Sequence, residues 1–187
     1  MKKYLFIATI ILAIVSCKSG NSKNKTDKDS LNNNTPTNFD QLKETDLNHV
    51  GGLSLGMKMK EVVEKLGEPE VKSKKEEWAA DGWIHQDWGY KANGIYLNMT
   101  RDKDSSAMEV FSISITNPCP FKTKKNVGIG STYDEVMTTY AQEIDKTSSD
   151  ENVVTVGSLY GGIIFEFSNK KVINLVGQNS TSKKLLL

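Results

Sequence analysis

The sequence predicts an α+β protein built of two tandem units, each a short helix followed by a four-stranded antiparallel sheet, behind an export signal and an unstructured tether. Three observations carry this. Met59, Val62, Val63 and Leu66 stand at i, i+3, i+4 and i+7, and Tyr133, Val136, Met137 and Tyr140 repeat that spacing 74 positions later. Such spacing puts four side chains on one face of a short helix. After each helix the period changes to two, the signature of half-buried strands. Finally, Gly94-Ile-Tyr-Leu-Asn-Met matches Gly162-Ile-Ile-Phe-Glu-Phe at the corresponding place in each unit, with Tyr90 and Tyr160 just upstream. A repeat of about 70 residues is a fold-level duplication, because solenoid periods run roughly 20–50.

The chain opens with Met1-Lys-Lys, an apolar run of 12 residues from Tyr4 to Val15, and Ser16-Cys17. Charge, short apolar run and small residue are the parts of a secretory signal, and the run is shorter than the roughly 20 residues a bilayer crossing needs. Ile14-Val15-Ser16-Cys17 resembles a bacterial lipobox. The resemblance implies removal of residues 1–16, acylation of Cys17 and attachment to a membrane of the cell envelope. Lys18 rather than Asp after the Cys implies the outer membrane. Removing the signal leaves 171 residues, with 22 basic side chains against 23 acidic. That balance offers no electrostatic footprint for nucleic acid. Residues 17–38 read as the tether: from Lys18 to about Asn38 the chain is mainly Ser, Asn, Lys, Thr, Asp and Gly with Leu31 the one sizeable apolar side chain, too little apolar surface to offset ordering.

The first unit is expected over 39–118. Phe39 to Leu47 is expected to make a helical turn or two. The helix of Met59 to Leu66 ends at Gly67 and Pro69. Val71 to Trp78 reads as a weak, charged strand, Ala79-Ala-Asp-Gly82 as a turn, and Trp83 to Tyr90 as a second strand. Ile95 to Thr100 follows, with Ile95, Leu97 and Met99 on the buried face. Met108 to Ile115 closes the unit, with Phe111, Ile113 and Ile115 facing in. The second unit is expected over 119–187. Thr132 and Glu135 have capping-box spacing ahead of the helix, whereas the first helix has Lys58 at that place and keeps only Glu61. Gln142 to Thr147 reads as a weak strand, followed by Val153 to Tyr160, Ile163 to Ser168 and Val172 to Gly177.

Leu55-Gly-Met…Glu61-Val…Leu66-Gly-Glu-Pro69, helix first and sheet after, resembles two families. One is the small lipoprotein of the outer-membrane β-barrel assembly machinery; the other is the β-lactamase-inhibitor protein, a tandem of two helix-plus-four-strand units. The resemblance covers roughly residues 51 to 178. It implies a protein-binding, non-catalytic role, either as an assembly adaptor or as an inhibitor or immunity lipoprotein, and in the inhibitor family the open sheet face makes the contact. No residue here matches a contact residue of either family.

Catalytic and metal signatures are sparse. His49 and His85 are the two histidines, without metal-ligand spacing, and neither a nucleophile elbow nor a phosphate loop is present. No cofactor is expected. Cys119 reads as a small apolar filler. Asp81, His85 and Asp87 lie close in sequence, and a hydrolase built on His85 is the enzyme alternative. The unusual local feature is aromatic: Trp78, Trp83 and Trp88 fall within 11 residues. Alternation puts Ile84, Gln86, Trp88 and Tyr90 on one face, in the core, and Trp83, His85 and Asp87 on the other. Tyr96, Asn98, Ser112 and Ser114 share that second face, with Glu166 and Asn174 as counterparts in the second unit. A polar face with exposed aromatics suits protein binding. The expected partner surface is therefore Trp83, His85, Asp87, Tyr96, Asn98 and Glu166; a bulge at Gly82 or Gly89 would exchange the faces.

Overall fold

The computed structural model describes residues 46–105, 107–158 and 161–179. The segments expected to be an export signal and a tether, with Cys17, residues 39–45, Tyr160 and the last eight residues, lie outside the described residues. A 3₁₀ turn at Asp46–Asn48 leads into a small hairpin of β1 (His49–Val50) and β2 (Leu53–Ser54). Then come α1 (Met59–Leu66), β3 (Val71–Lys72), β4 (Glu76–Glu77), β5 (Ile84–Tyr90), β6 (Ile95–Arg101), β7 (Glu109–Thr116), α2 (Tyr133–Thr139), β8 (Val153–Ser158), β9 (Gly161–Ser168) and β10 (Lys171–Gln178). The protein is mostly β-sheet with two α-helices among the described residues.

The two predicted sheets are one. The eight strands β3 to β10 form a single antiparallel sheet in the order β3-β5-β6-β7-β10-β9-β8, with β4 also on β5. The last strand of each half pairs with the other, Ile115 opposite Leu175 and Ile113 opposite Gly177. Sequence periodicity locates strands but not their lateral partners. Joining β7 to β10 removes two exposed edges at once.

The two halves use matching backbone contacts. Gly56 N–H donates to Val110 O at 2.7 Å, and Gly130 N–H to Val172 O at 2.8 Å. Met59 N–H meets Met108 O, and Tyr133 N–H meets Lys170 O, both at 2.9 Å. A bulge interrupts β7 at Phe111, between the pairs Asn98–Ser112 and Met99–Val110. Another interrupts β10 at Ile173, between Glu166–Asn174 and Phe167–Val172.

The capping difference read from the sequence is present. Thr132 Oγ1 accepts the Glu135 N–H at 3.1 Å, and Glu135 returns the contact to the Thr132 N–H at 2.6 Å. At α1 only the carboxylate arm exists, Lys58 N–H to Glu61 Oε2 at 2.9 Å. The bonds from Thr132, backbone first and then side chain, hold the Glu135 carboxyl below its ordinary value. A carboxylate lowered in the folded state stabilises it fully above the unfolded value, roughly 4.3, and loses that contribution as pH falls through the lowered one. Glu135→Gln should therefore shift the urea midpoint at neutral pH, with the gap to wild type closing as the solution is acidified. A gap that is constant across that range would refute the assignment.

The core lies between the helices and one sheet face. Val62 and Val136 are fully buried there, with Trp88, Leu97, Ile113, Ile115, Phe165 and Leu175 from the strands. Tyr133 meets Phe167 edge-on, and Tyr140 packs against Phe165. Met59 belongs to the same helical stripe by spacing but is exposed, because it occupies the first position of α1. Tyr90 O–H donates to Gly67 O at 3.0 Å, fixing the end of α1 to the sheet. Burial, with the Glu68 charge adding to it, pushes that phenol up to about 12, so it remains a donor. The β1–β2 hairpin is tied to the second half by Gly51 N–H to Lys122 O at 2.7 Å. Gly51 has φ 60°, and a Cβ there would collide with the Phe121 ring.

Three expectations change. Val71 to Trp78 is not one strand: Ser73 breaks it, its Oγ accepting the Asp87 N–H and donating to Lys74 O. Such local bonds compete with the ladder. Gln142 to Thr147 makes one bridge, Ile144 to Val156, because Asp145 O and Oδ1 draw in Ser149 Oγ and the Thr147 N–H to form a turn. Phe111 does not face the core, since the bulge gives β7 an extra residue and rotates this side chain toward His85.

Candidate functional site

Both helices pack on one face of the sheet, which leaves the opposite face of β5, β6 and β7 open. Register assembles that face. Asp87 lies opposite Asn98 and Asn98 opposite Ser112; Gly89 lies opposite Tyr96 and Tyr96 opposite Ser114. At Gly89 the row lacks a side chain. A shallow recess of about 410 Å³ opens there, lined by Asp87, Gly89, Lys91, Tyr96, Asn98 and Ser112, among others. Tyr96 is 41% exposed. Val71, at the adjoining edge, is exposed as well.

Beneath the recess runs a chain of polar contacts. Asn98 Nδ2 donates to Asp87 Oδ1 at 2.7 Å. That orientation turns Asn98 Oδ1 to His85 Nδ1, 2.6 Å away. His85 Nε2 meets Asp81 Oδ2 at 3.0 Å, and Asp81 Oδ1 accepts the Trp83 N–H at 3.0 Å. Both ring nitrogens of His85 thus face side-chain oxygens. Trp78 lies flat on the ring with centroids 3.8 Å apart, and Phe111 meets it edge-on at 5.2 Å.

The sequence-predicted residues divide accordingly. Asp87 and Tyr96 come together exposed at the recess; Asn98 lines it but is buried, so its expected surface position is corrected. His85 belongs to the same network but is 2% exposed, so its expected surface position is corrected: Trp78 covers it. Trp83 precedes β5, which begins at Ile84, and is half-buried with its Nε1–H unpartnered among the described residues. The Gly82 backbone, at φ 70°, and the Trp78 N–H to Trp83 O bond at 2.9 Å hold it in a turn rather than in the strand. Glu166 is exposed on β9, four strand positions from β5, about 19 Å at ordinary strand spacing. It lies outside the recess. Trp78 and Asp81 are the residues that alternation missed, since both stand in irregular segments where no period applies.

Cys119 is buried, and burial pushes its thiol up. A protonated, enclosed thiol is a poor nucleophile. Among the described residues no group of three or more His, Cys, Asp or Glu is arranged to hold a metal ion, and no helix is long and apolar enough to cross a membrane. No family model, curated protein or solved structure matches the chain.

Proposed function

We propose that this chain is a lipid-anchored, non-catalytic protein-binding module of a bacterial cell envelope, tethered through Cys17 in the outer membrane, whose partner docks on the open sheet face around Tyr96. The observation that carries the reading is that face itself: an exposed aromatic ring beside a recess, set among polar side chains, on a rigid sheet whose other face is filled by the core. Exposed aromatics on a firm support are what protein interfaces use as anchors. The burial of His85 under Trp78 and of the Cys119 thiol favours binding over hydrolysis.

The same reading takes the chain as a tandem duplication. Its support is the recurrence of the helix-to-strand hydrogen bonds and of the bulge at Phe111 and Ile173. This layout is the one the resemblance to the β-lactamase-inhibitor protein implies, while the lipobox is the feature it shares with the barrel-assembly lipoprotein.

The test is capture from native membranes. Full-length wild type should be labelled by a fatty-acid analogue and retain a defined protein partner. Cys17→Ser should lose the label, and Tyr96→Ala should stay folded and lose the partner, by roughly tenfold or more if the ring is an anchor worth about 2 kcal/mol. Equal labelling of the Cys17 variant, or undiminished capture by Tyr96→Ala, would overturn the corresponding part of the reading.

A further inference from the structure

We propose that the recess over Gly89 is a seat for a cationic side chain of the partner protein, an arginine in preference to a lysine, read by the Asp87 carboxylate and the Tyr96 ring. The inference rests on the protein-binding reading and specifies its chemistry.

Asp87 is the first element. Its Oδ1 is occupied by Asn98, and no cation lies within salt-bridge range of it among the described residues. Among the described residues its other oxygen has no partner. Its position is set from two sides, by the Asn98 amide at 2.7 Å and by its own N–H on Ser73 Oγ at 2.9 Å. Asn98 is itself buried and fixed by His85, and His85 is held between Asp81, Trp78 and Phe111. The whole chain Asp81–His85–Asn98–Asp87 therefore presents one carboxylate in a fixed place. An ordinary exposed ion pair contributes little, largely because two mobile chains must be ordered. Here one of the two is already ordered, which is the condition under which a surface charge gains affinity.

The second element is the ring. Tyr96 is exposed, and among the described residues no partner for its hydroxyl and no cation over its ring is seen. A guanidinium is planar, stacks on aromatic faces and hydrogen-bonds carboxylates, whereas an ammonium does only part of this.

The third element is the gap. A Cβ on Gly89 would meet Val71, Tyr96 and Lys91 carbons at 3.7, 3.8 and 3.9 Å, which are ordinary contacts, and the Gly89 backbone is not in the left-handed region. No strain requires a glycine at this position; Gly89 is buried in the floor of the recess, with Val71, Tyr96 and Lys91 around it. Lys91 stands on the rim, with no ion pair among the described residues, and opposes a second cation.

The experiment titrates the full-length chain in mild detergent with a blocked Gly-Arg-Gly peptide and with the citrulline peptide of the same shape, following backbone amide shifts by NMR. The arginine peptide should move the amides of residues 87–89, 96–98 and 112 saturably, and the citrulline peptide should not. Asp87→Asn should weaken the arginine peptide about tenfold, the scale of one charge-assisted hydrogen bond. Tyr96→Ala should weaken it roughly two- to fivefold. Gly89→Val should keep the fold and abolish binding by filling the recess. Lys91→Ala should tighten it. No saturable response, equal response to citrulline, an unaffected Asp87→Asn, or weakening by Lys91→Ala would each overturn the proposal. The two readings separate in the capture assay. Partner retention that needs Tyr96 but survives Asp87→Asn leaves the docking face standing and removes the cation seat. A specific arginine response with capture indifferent to both Tyr96 and Asp87 overturns both, since the partner then docks elsewhere.

Discussion

Val62→Asp and Val136→Asp are each expected to destabilise the domain by about 4 kcal/mol or more, enough to leave a marginally stable protein largely unfolded at room temperature. Both side chains are fully buried in the layer between helix and sheet. No described cation reaches either position, so the new carboxylate would be ionised without a partner or protonated at the cost of its shifted equilibrium. Met59→Asp is the control. It lies on the same helix as Val62 but is 38% exposed at the first position, where an acid also complements the helix dipole; it should change stability by less than about 1 kcal/mol. The pair of core variants also probes the single sheet. All three tryptophans lie in the first half, whereas Val136 lies in the second. Because β7 and β10 are hydrogen-bonded neighbours, Val136→Asp should move the tryptophan-fluorescence transition and the far-UV dichroism transition together in urea. A tryptophan transition unmoved by Val136→Asp would mean that the halves unfold independently. A wild-type midpoint in either Val variant would sink the core assignment.

The helices were legible because everything that specifies them is local. Spacing gives the buried face, Thr132 and Glu135 give the start of α2, and Gly67 gives the end of α1, so the predicted residues and the observed bounds agree closely. The long strands were legible for a similar reason: Leu97 and Phe165 alternate with residues of the other sheet face, and the observed strands match within a residue or two. What failed required information that neighbouring residues do not carry. The pairing of β7 with β10 joins positions about 60 apart, and no pattern within either strand names its partner. The short segments at 71–78 and 142–147 are governed by Ser73 and Asp145 side chains capturing backbone groups, which outweighs weak strand propensity.

At the site the same distinction holds. Asp87, Tyr96 and Asn98 share one face as alternation predicts, since strand register carries them into adjacent rows, but Asn98 is buried within it. His85 obeys alternation too and points to the open side of β5, yet it is not at the surface. The ring that covers it comes from Trp78, beyond a turn, and the ring at its edge comes from the bulged residue Phe111. Alternation predicts which way a side chain points and is silent about what lies above it. That gap turned a supposed contact residue into a buried support for the residues that are exposed.

The contrast between Trp88 and Trp83 gives the sharpest measurement of this division. Trp88 is 1% exposed, donates its indole N–H to Gln86 Oε1 at 3.0 Å, and has the Lys72 ammonium 4.5 Å from its ring. Trp88→Ala removes a large buried ring, its hydrogen bond and the surface on which Lys72 rests, and should cost roughly 3–5 kcal/mol. Trp83 lies in the turn before β5, half-buried, with an indole N–H enclosed but unpartnered among the described residues. An enclosed donor without an acceptor is itself a penalty of about 1–3 kcal/mol. Trp83→Phe keeps most of the packing and deletes that donor, so it should be neutral or stabilising by up to about 1 kcal/mol. Trp83→Ala should cost clearly less than Trp88→Ala, because less ring area leaves the protein interior. Guanidinium unfolding of the three variants at one pH reads all of this from midpoints and slopes. If Trp83→Phe loses stability on the scale of a broken buried hydrogen bond, the indole has a partner and the turn at Asp81 to Trp83 is arranged differently. If Trp88→Ala unfolds at the wild-type midpoint, Trp88 is not in the core, and the division of the sheet into a covered and an open face fails with it.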